Sequence, residues 1–194
     1  MNFKELDILL TNFLMSIGIW GYILSCFLII IESIIPILPL SVFITLLFYK
    51  FGYILGFLIS YVFTILGCLI SYSLFNGKMR IKLENYIRNK NKKKLDKIIK
   101  SINRIKFVNL CLIIALPFAP AFLINIAAGL SNIKKKKYII ALLIGKIFLI
   151  IFWGFIGTSM INSLRRPSNL VLISVLLLVC FILSRFISKK EGLE

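Results

Sequence analysis

Two ionisable side chains, Glu32 and Lys146, lie deep inside apolar segments of this chain. Burying a charge at bilayer depth costs free energy, so such residues in membrane proteins mark ion or substrate pathways. Glu32 has two interpretations. It carries a proton, or its carboxylate caps free backbone N–H groups in the proline-containing segment that follows it. Lys146 lies on the order of 12 Å into its segment, which is far for its ammonium group to reach the membrane surface. We therefore expect Lys146 to face a cavity, as a counter-ion to Glu32 or to a lipid phosphate.

The chain contains no histidine, and this absence excludes much chemistry. Histidine-dependent phosphatases, zinc proteases and Ser-His-Asp hydrolases would lack their base or their ligands. The cysteines Cys26, Cys68, Cys111 and Cys180 are isolated in apolar segments without Cys-x-x-Cys spacing, which favours small buried side chains over disulfides or a metal site. We predict no enzymatic activity, no catalytic residue, no metal site and no cofactor.

Two apolar segments each contain a Pro-x-x-Pro pair, and the two pairs are offset by 81 residues. Proline removes a backbone donor and crowds the preceding turn, so a straight helix through either pair is costly. Each pair is followed by a glycine and by a long apolar segment. Paired proline-broken segments in the two halves of a membrane protein indicate a binding site near the bilayer midplane. The residues concerned are Pro36, Pro39 and Gly52 in the first segment and Pro117, Pro120 and Gly129 in the second.

Asn125 is the one amide between Ala115 and Gly129, the part of the second broken segment that contains its proline pair. An amide at membrane depth has to satisfy both donors and its acceptor. Two interpretations are equally good: Asn125 binds polar headgroups, or it satisfies backbone groups of its own segment.

The composition places the whole chain in one membrane domain, residues 1–194. Hydrophobic residues make up 60% of it and the mean hydropathy is +0.99, which is typical of a polytopic membrane protein. The net charge of +17 fits basic loops that set topology and contact anionic headgroups. Nucleic-acid binding is not expected, because no recognisable reading module carries the charge.

Charge and apolar patterns divide this domain into two halves around a basic loop. Residues 76–107 contain twelve Lys and Arg against Glu84 and Asp96, with apolar residues at helical spacing. This pattern predicts a basic amphipathic loop on the cytoplasmic leaflet. The predicted boundaries are a first half at 13–75 with a hairpin at 32–50, the loop at 76–107, a second half at 108–187 with a hairpin at 108–130, and a cytoplasmic tail at 188–194.

The positive-inside rule suggests how these segments cross the membrane. If residues 108–130 were an ordinary span, the basic loop and the lysines at 134–137 would lie on opposite sides. We therefore predict that residues 108–130 enter and leave on the cytoplasmic side. The two matching proline pairs suggest an internal duplication. This implies that residues 32–50 re-enter from the outside, although a true span there would only move the nearly neutral N-terminus outside.

The sequence thus predicts an all-α integral membrane protein. We expect about four transmembrane helices and two opposed re-entrant, proline-broken hairpins that form an inverted repeat. Irregular backbone at membrane depth requires surrounding protein or a water-filled cavity. A polar cavity between the hairpins is the expected result.

The broken segments resemble a known family. Two stretches are similar to the VTT-domain membrane proteins. The first is Glu-Ser-Ile-Ile-Pro-Ile-Leu-Pro, which begins at Glu32. The second is Leu-Pro-Phe-Ala-Pro-Ala-Phe-Leu-Ile-Asn-Ile-Ala-Ala-Gly, which ends at Gly129 and has Gly145 and Lys146 in the segment after it. These form the DedA or SNARE-associated Golgi protein superfamily, and the bacterial relatives of the late-Golgi Tvp proteins are the most similar branch. The likeness covers roughly residues 13–187, including the order of spans, hairpins and basic loop.

The resemblance implies opposed re-entrant hairpins and movement of phospholipids or polyprenyl-phosphate carriers between leaflets, in some cases coupled to protons. The acidic function of the first hairpin would fall on Glu32. The second-hairpin motif would fall on Pro117, Pro120, Asn125 and Gly129. Family members commonly carry arginine near the second hairpin, where this chain has Phe118, Ala119 and Ala121, so a phosphate-binding arginine is not expected here.

Three functions follow from these features. The first is a scramblase-like or flippase-like protein of the bacterial cell membrane, with its basic loop and C-terminus in the cytoplasm. The second is a proton-coupled transporter of a small solute. The third is a membrane assembly or homeostasis protein without transport. Expected partners are membrane lipids, anionic headgroups at the basic loop, and protons.

Overall fold

The computed structural model describes residues 18–34, 39–77, 99–119, 121–163 and 168–191. These residues are helical apart from short turns and connections, and no strand occurs among them, so the all-α prediction is confirmed. The longer helices are α1 (Gly18–Ile34), α2 (Leu40–Asn76), α3 (Phe107–Ala115), α4 (Ala121–Leu130), α5 (Lys135–Ser163) and α6 (Ser168–Lys190).

Helix α2 folds back on itself at Gly52. The glycine has φ 75° and ψ −179°, a conformation that is essentially restricted to glycine. It separates a short arm, α2a (residues 40–51), from a long arm, α2b (residues 53–76). A Cβ atom added to Gly56 would lie 2.7 Å from the Cα atom of Phe48, so the backbones of the two arms are in close contact. Gly52 therefore reverses the chain direction.

Helix α1 and arm α2a form a first hairpin, whose mouth lies at the Gly52 end of the bundle. At this mouth the ring of Tyr22 is 5.5 Å from that of Phe51. The other end of α1 lies deep along α2b, because a Cβ atom on Gly67 would be 2.7 Å from Ser33 Oγ. The connection at residues 35–38, which includes Pro36, lies outside the described residues.

Helices α3 and α4 form a second hairpin, which opens at the other end of the bundle. At its mouth the side-chain oxygen of Asn103 accepts a hydrogen bond from the backbone N–H of Asn132, at 2.9 Å. At its tip the ring of Phe118 makes edge contacts with Trp153 and Phe181, at 5.8 Å and 5.6 Å between centroids. The two hairpins therefore enter the bundle from opposite ends.

Helix α5 packs against both hairpins through glycines. A Cβ atom on Gly145 would lie 2.7 Å from Ile114 of α3, and one on Gly157 would overlap Thr45 of α2a. Small residues allow this close approach of helices within a membrane. Helix α6 runs back along α5 and ends near α3, where Asn109 Nδ2 donates to Glu191 Oε1 at 2.7 Å.

Two of the described helices are long and apolar enough to cross a membrane, Leu40–Asn76 and Lys135–Ile161. The segment Gly18–Ile34 is apolar but shorter. The sequence predicted that the first hairpin begins at residue 32 and ends at residue 50. In the structure α1 continues through Glu32 to Ile34 and is itself one arm of the hairpin. Within this last turn Ser33 Oγ donates to the Ile29 carbonyl, and α1 ends two residues before Pro36, since the residue before a proline disfavours helical backbone.

Several predicted features lie outside the described residues. They are the start of the first half at 13–17, Pro36, Pro120, most of the basic loop at 76–107 and the end of the tail.

Candidate functional site

The structure places Glu32 and Lys146 close enough for an electrostatic interaction between their side chains. Glu32 lies half-buried in the last turn of α1, and Lys146 lies on α5 with 2% of its surface exposed. The Lys146 charge interacts electrostatically with the Glu32 carboxyl group. Lys146 is about 16 Å along α5 from its first residue, so this pair lies well inside the bundle. The acid comes from the first half of the chain and the base from the second.

Asn125 joins the second hairpin to the rest of the bundle. Its Nδ2 group donates to the backbone carbonyl of Ser33 at 3.3 Å and to Cys68 Sγ at 3.4 Å. Its Oδ1 atom accepts from Tyr138 Oη at 2.8 Å. The carbonyl of Ser33 belongs to the last turn of α1, where helical carbonyls lack intrahelical partners. Asn125 thus satisfies backbone of the first hairpin, an arrangement that neither sequence interpretation included.

The partners of Asn125 form a buried cluster that the sequence did not predict. Tyr138 is fully buried, and its ring stacks on that of Tyr72 with 4.8 Å between centroids. A buried tyrosine hydroxyl normally has a hydrogen-bond partner, so one is expected for Tyr138. Its position directly after the lysines at 134–137 resembles an ordinary interfacial tyrosine, and nothing in the spacing indicated that Asn125 would be the partner.

Small and hydroxyl-bearing residues line one face of α2b. Ser60, Thr64, Gly67 and Ser71 recur at spacings of four and three, which places them on the same side of the helix. At this face Gly67 packs closely against α1. Within the part of the chain that the structure describes, the hydroxyl oxygens of Ser60, Thr64 and Ser71 are buried and have no hydrogen-bond partner. Buried hydroxyls normally have a partner, and these three residues are fully buried on a face that packs against other helices.

The remaining predicted site residues shape the backbone. Pro39 precedes α2a in an extended conformation, with φ −78° and ψ 97°. Pro117 lies half-buried in the turn at the tip of the second hairpin. A Cβ atom on Gly129 would lie 2.7 Å from Phe75 Cβ, so glycine there lets α4 pack against α2b. Among the described residues no group of three or more Cys, Asp or Glu side chains could hold a metal ion.

Comparison with known proteins identifies the architecture. The model of the VTT domain family matches residues 35–159, which is more than half of the chain. The protein belongs to the VTT-domain family. The membership predicted from the two proline-broken segments is therefore confirmed. The chain is also 26% identical over 180 residues to a Bacillus subtilis (strain 168) protein described as "Uncharacterized membrane protein YhjE", across 93% of this chain and 86% of that protein. No solved structure matches.

The VTT domain contains most of the site. Its matched range, residues 35–159, begins directly after α1 and includes α2, the second hairpin and nearly all of α5. Lys146 and Asn125 lie inside this range, whereas Glu32 lies three residues before it. The family and the relative support a membrane location for the protein.

Proposed function

We propose that this VTT-domain protein moves phospholipids or polyprenyl-phosphate lipids between the two leaflets of the bacterial cell membrane. The observation that carries the proposal is the Glu32–Lys146 pair, which lies inside the bundle where opposed hairpins meet. A charge pair at membrane depth belongs to a pathway for polar or charged groups more often than to a purely structural core.

In this proposal the two hairpins are re-entrant, while α2b, α5 and α6 cross the membrane. The basic residues at 134–137 and the loop at 76–107 put the mouth of the second hairpin in the cytoplasm, with the loop against anionic headgroups. The mouth of the first hairpin, near Gly52, then faces outwards. The contact between Asn125 and the Ser33 carbonyl closes the space between the hairpins.

The polar side chains suggest how a headgroup would move. The hydroxyl groups of Ser60, Thr64 and Ser71, which have no hydrogen-bond partner among the described residues, follow one face of α2b over about 16 Å. We propose that they replace water around a headgroup, while Lys146 attracts its phosphate and Glu32 keeps Lys146 neutralised between transfers. The acyl tails stay in the bilayer. Without an arginine at the tip of the second hairpin, selectivity among phosphate headgroups is expected to be low.

The test is dithionite quenching of fluorescent lipids in liposomes that contain the purified protein. Quenching well beyond half of the signal in wild-type liposomes, reduced in Glu32→Gln and in Lys146→Met, is the expected result. Lys50→Met is the matched control, because Lys50 is an exposed lysine at the mouth of the first hairpin. Quenching that stops at half for phospholipid and polyprenyl-phosphate probes alike would contradict lipid exchange.

A proton-coupled transporter of a small solute is the second candidate. The carboxyl group of Glu32, half-buried beside Lys146, is the observation that favours it. Uptake of a soluble substrate that depends on a pH gradient, and that Glu32→Gln abolishes, would support this function. If neither lipid exchange nor uptake occurs and site variants change only protein abundance, a role in membrane assembly is the better explanation.

A further inference from the structure

An apolar groove of about 370 Å³ opens between α2 and α5, in the half of the bundle that contains Gly52. It lies apart from the polar site, because none of the polar site residues contributes to its walls. The groove is lined by Phe48, Tyr53, Ile54, Phe57, Leu58, Ile151 and Phe155.

Two tyrosine hydrogen bonds link the two helices that form the walls of this groove. Tyr53 Oη lies 3.2 Å from Thr158 Oγ1, and Tyr61 Oη donates to the Leu143 carbonyl at 3.0 Å. Both bonds link α2b to α5, and the two tyrosines are about 12 Å apart along α2b. The ring of Phe57 stacks on that of Tyr61 between them, at 5.5 Å. The helices are thus bridged at two levels with an unfilled apolar space between.

The groove opens towards the surroundings of the bundle. Ile54 is 78% exposed and Phe155 is 53% exposed. Both walls belong to the two helices that are long and apolar enough to cross a membrane, so the medium against the opening is lipid hydrocarbon. The one polar atom on the walls, Tyr53 Oη, is already hydrogen-bonded to Thr158. The chemistry of the groove therefore suits an unbranched hydrocarbon chain and offers nothing to a headgroup.

We propose that this groove is a binding site for one acyl chain of a diacyl phospholipid, held between the Tyr53 and Tyr61 bridges. The bound chain completes the packing between α2b and α5. The site needs only the membrane placement of these helices, so it can exist whether or not the protein exchanges lipids between leaflets.

Photocrosslinking tests the site in liposomes that contain the full-length protein and a phosphatidylcholine with a diazirine in its acyl chain. Labelled residues are located by mass spectrometry. We expect several-fold more label at Ile54, Ile151 and Phe155 than at Leu178 and Phe186 of α6. These two control residues are apolar and exposed at 60% and 66%, so incidental contact with the bilayer labels them equally well. Label that follows exposure alone would overturn the proposal.

A filling variant provides the second measurement. Ile151→Trp places an indole in the groove and should lower label at Ile54 and Phe155 several-fold, whereas Leu178→Trp on the exposed face of α6 should leave it unchanged. Thermal unfolding in detergent is the control that establishes whether both variants are folded. Unchanged label at Ile54 and Phe155 in folded Ile151→Trp would contradict the assignment. Labelling by a free diazirine fatty acid but not by the phospholipid would also overturn it, because the occupant would then be a free acid.

Discussion

The two hairpins share a frame but differ in their polar groups. Each consists of two helical arms joined at a Pro-x-x-Pro break, and each is followed by a long apolar helix, α2b or α5. The first hairpin contributes the carboxyl group of Glu32, whereas the second contributes the amide of Asn125. The counter-charge, Lys146, comes from the long helix of the second half.

The difference between the halves is seen by comparing residues that are 81 positions apart in the sequence. At the positions that correspond to Glu32, Asn125 and Lys146, the other half has Ile113, Ile44 and Ile65. All three isoleucines are buried. At each of these three pairs of positions, one half therefore has a polar or charged residue and the other half has a buried isoleucine. The candidate site therefore combines side chains from both halves, and neither half alone contains all three polar residues.

The largest predicted effect comes from breaking the charge pair. Glu32→Gln leaves the Lys146 ammonium buried without its counter-charge, which should lower the free energy of unfolding by about 3 kcal/mol. The corresponding change in the other half, Ile113→Val, removes one buried methylene and should cost about 1 kcal/mol. Thermal unfolding in detergent micelles measures both. Equal losses would mean that Glu32 serves only as packing.

The second prediction concerns how each hairpin meets α5. Gly157→Val forces a side chain against Thr45 of the first hairpin, and Gly145→Val does the same against Ile114 of the second. Each should cost about 2 kcal/mol, because overpacking displaces a tightly packed helix. Gly77→Ala is the control, since its nearest neighbour is the Ser73 carbonyl at 3.1 Å and the residue is exposed. If only one of the valine variants is destabilised, the two hairpins do not depend equally on α5.

Removal of the amide tests the link between the hairpins. Asn125→Leu leaves the Tyr138 hydroxyl and the Ser33 carbonyl without this partner, and should cost about 2 kcal/mol. Tyr138→Phe removes one bond only and should cost about 1 kcal/mol. The double variant should cost less than the sum of the two, because the residues share one bond. Strict additivity in denaturant unfolding would show that Asn125 and Tyr138 act independently.

The smallest effect is expected at the joint between the first hairpin and its long helix. Gly52 makes this joint with one residue, whereas residues 131–134 connect α4 to α5. Gly52→Ala should cost about 1 kcal/mol, the lower end for a backbone conformation that only glycine adopts readily, because nothing lies within 4 Å of the added Cβ atom. Ser73→Ala, on the exposed side of α2b, should be neutral. A thermal shift assay on the two variants distinguishes backbone strain from side-chain contact.

Much of the fold could be predicted from residue types. The proline pairs located both breaks, and the apolar composition with the family motifs indicated an all-helical VTT-domain membrane protein. The packing of α1 as one arm of the first hairpin could not be predicted, because a run of apolar residues has the same pattern whichever helix it packs against. The hydrogen bond from Asn125 to Ser33 could not be predicted either, because its acceptor is a backbone carbonyl and every residue has one.

The most direct test exchanges the two charges between the halves. Lipid exchange by dithionite quenching is measured for Glu32→Lys, for Lys146→Glu and for the double variant that carries both, each reconstituted at equal protein density. We expect each single variant to lose most of the wild-type rate, because two like charges then face each other inside the bundle. The double variant, with the pair restored in reverse, should recover a substantial part of it. If the double variant is as slow as the single ones, or if the single variants keep the wild-type rate, a shared charge centre between the two halves is the wrong explanation.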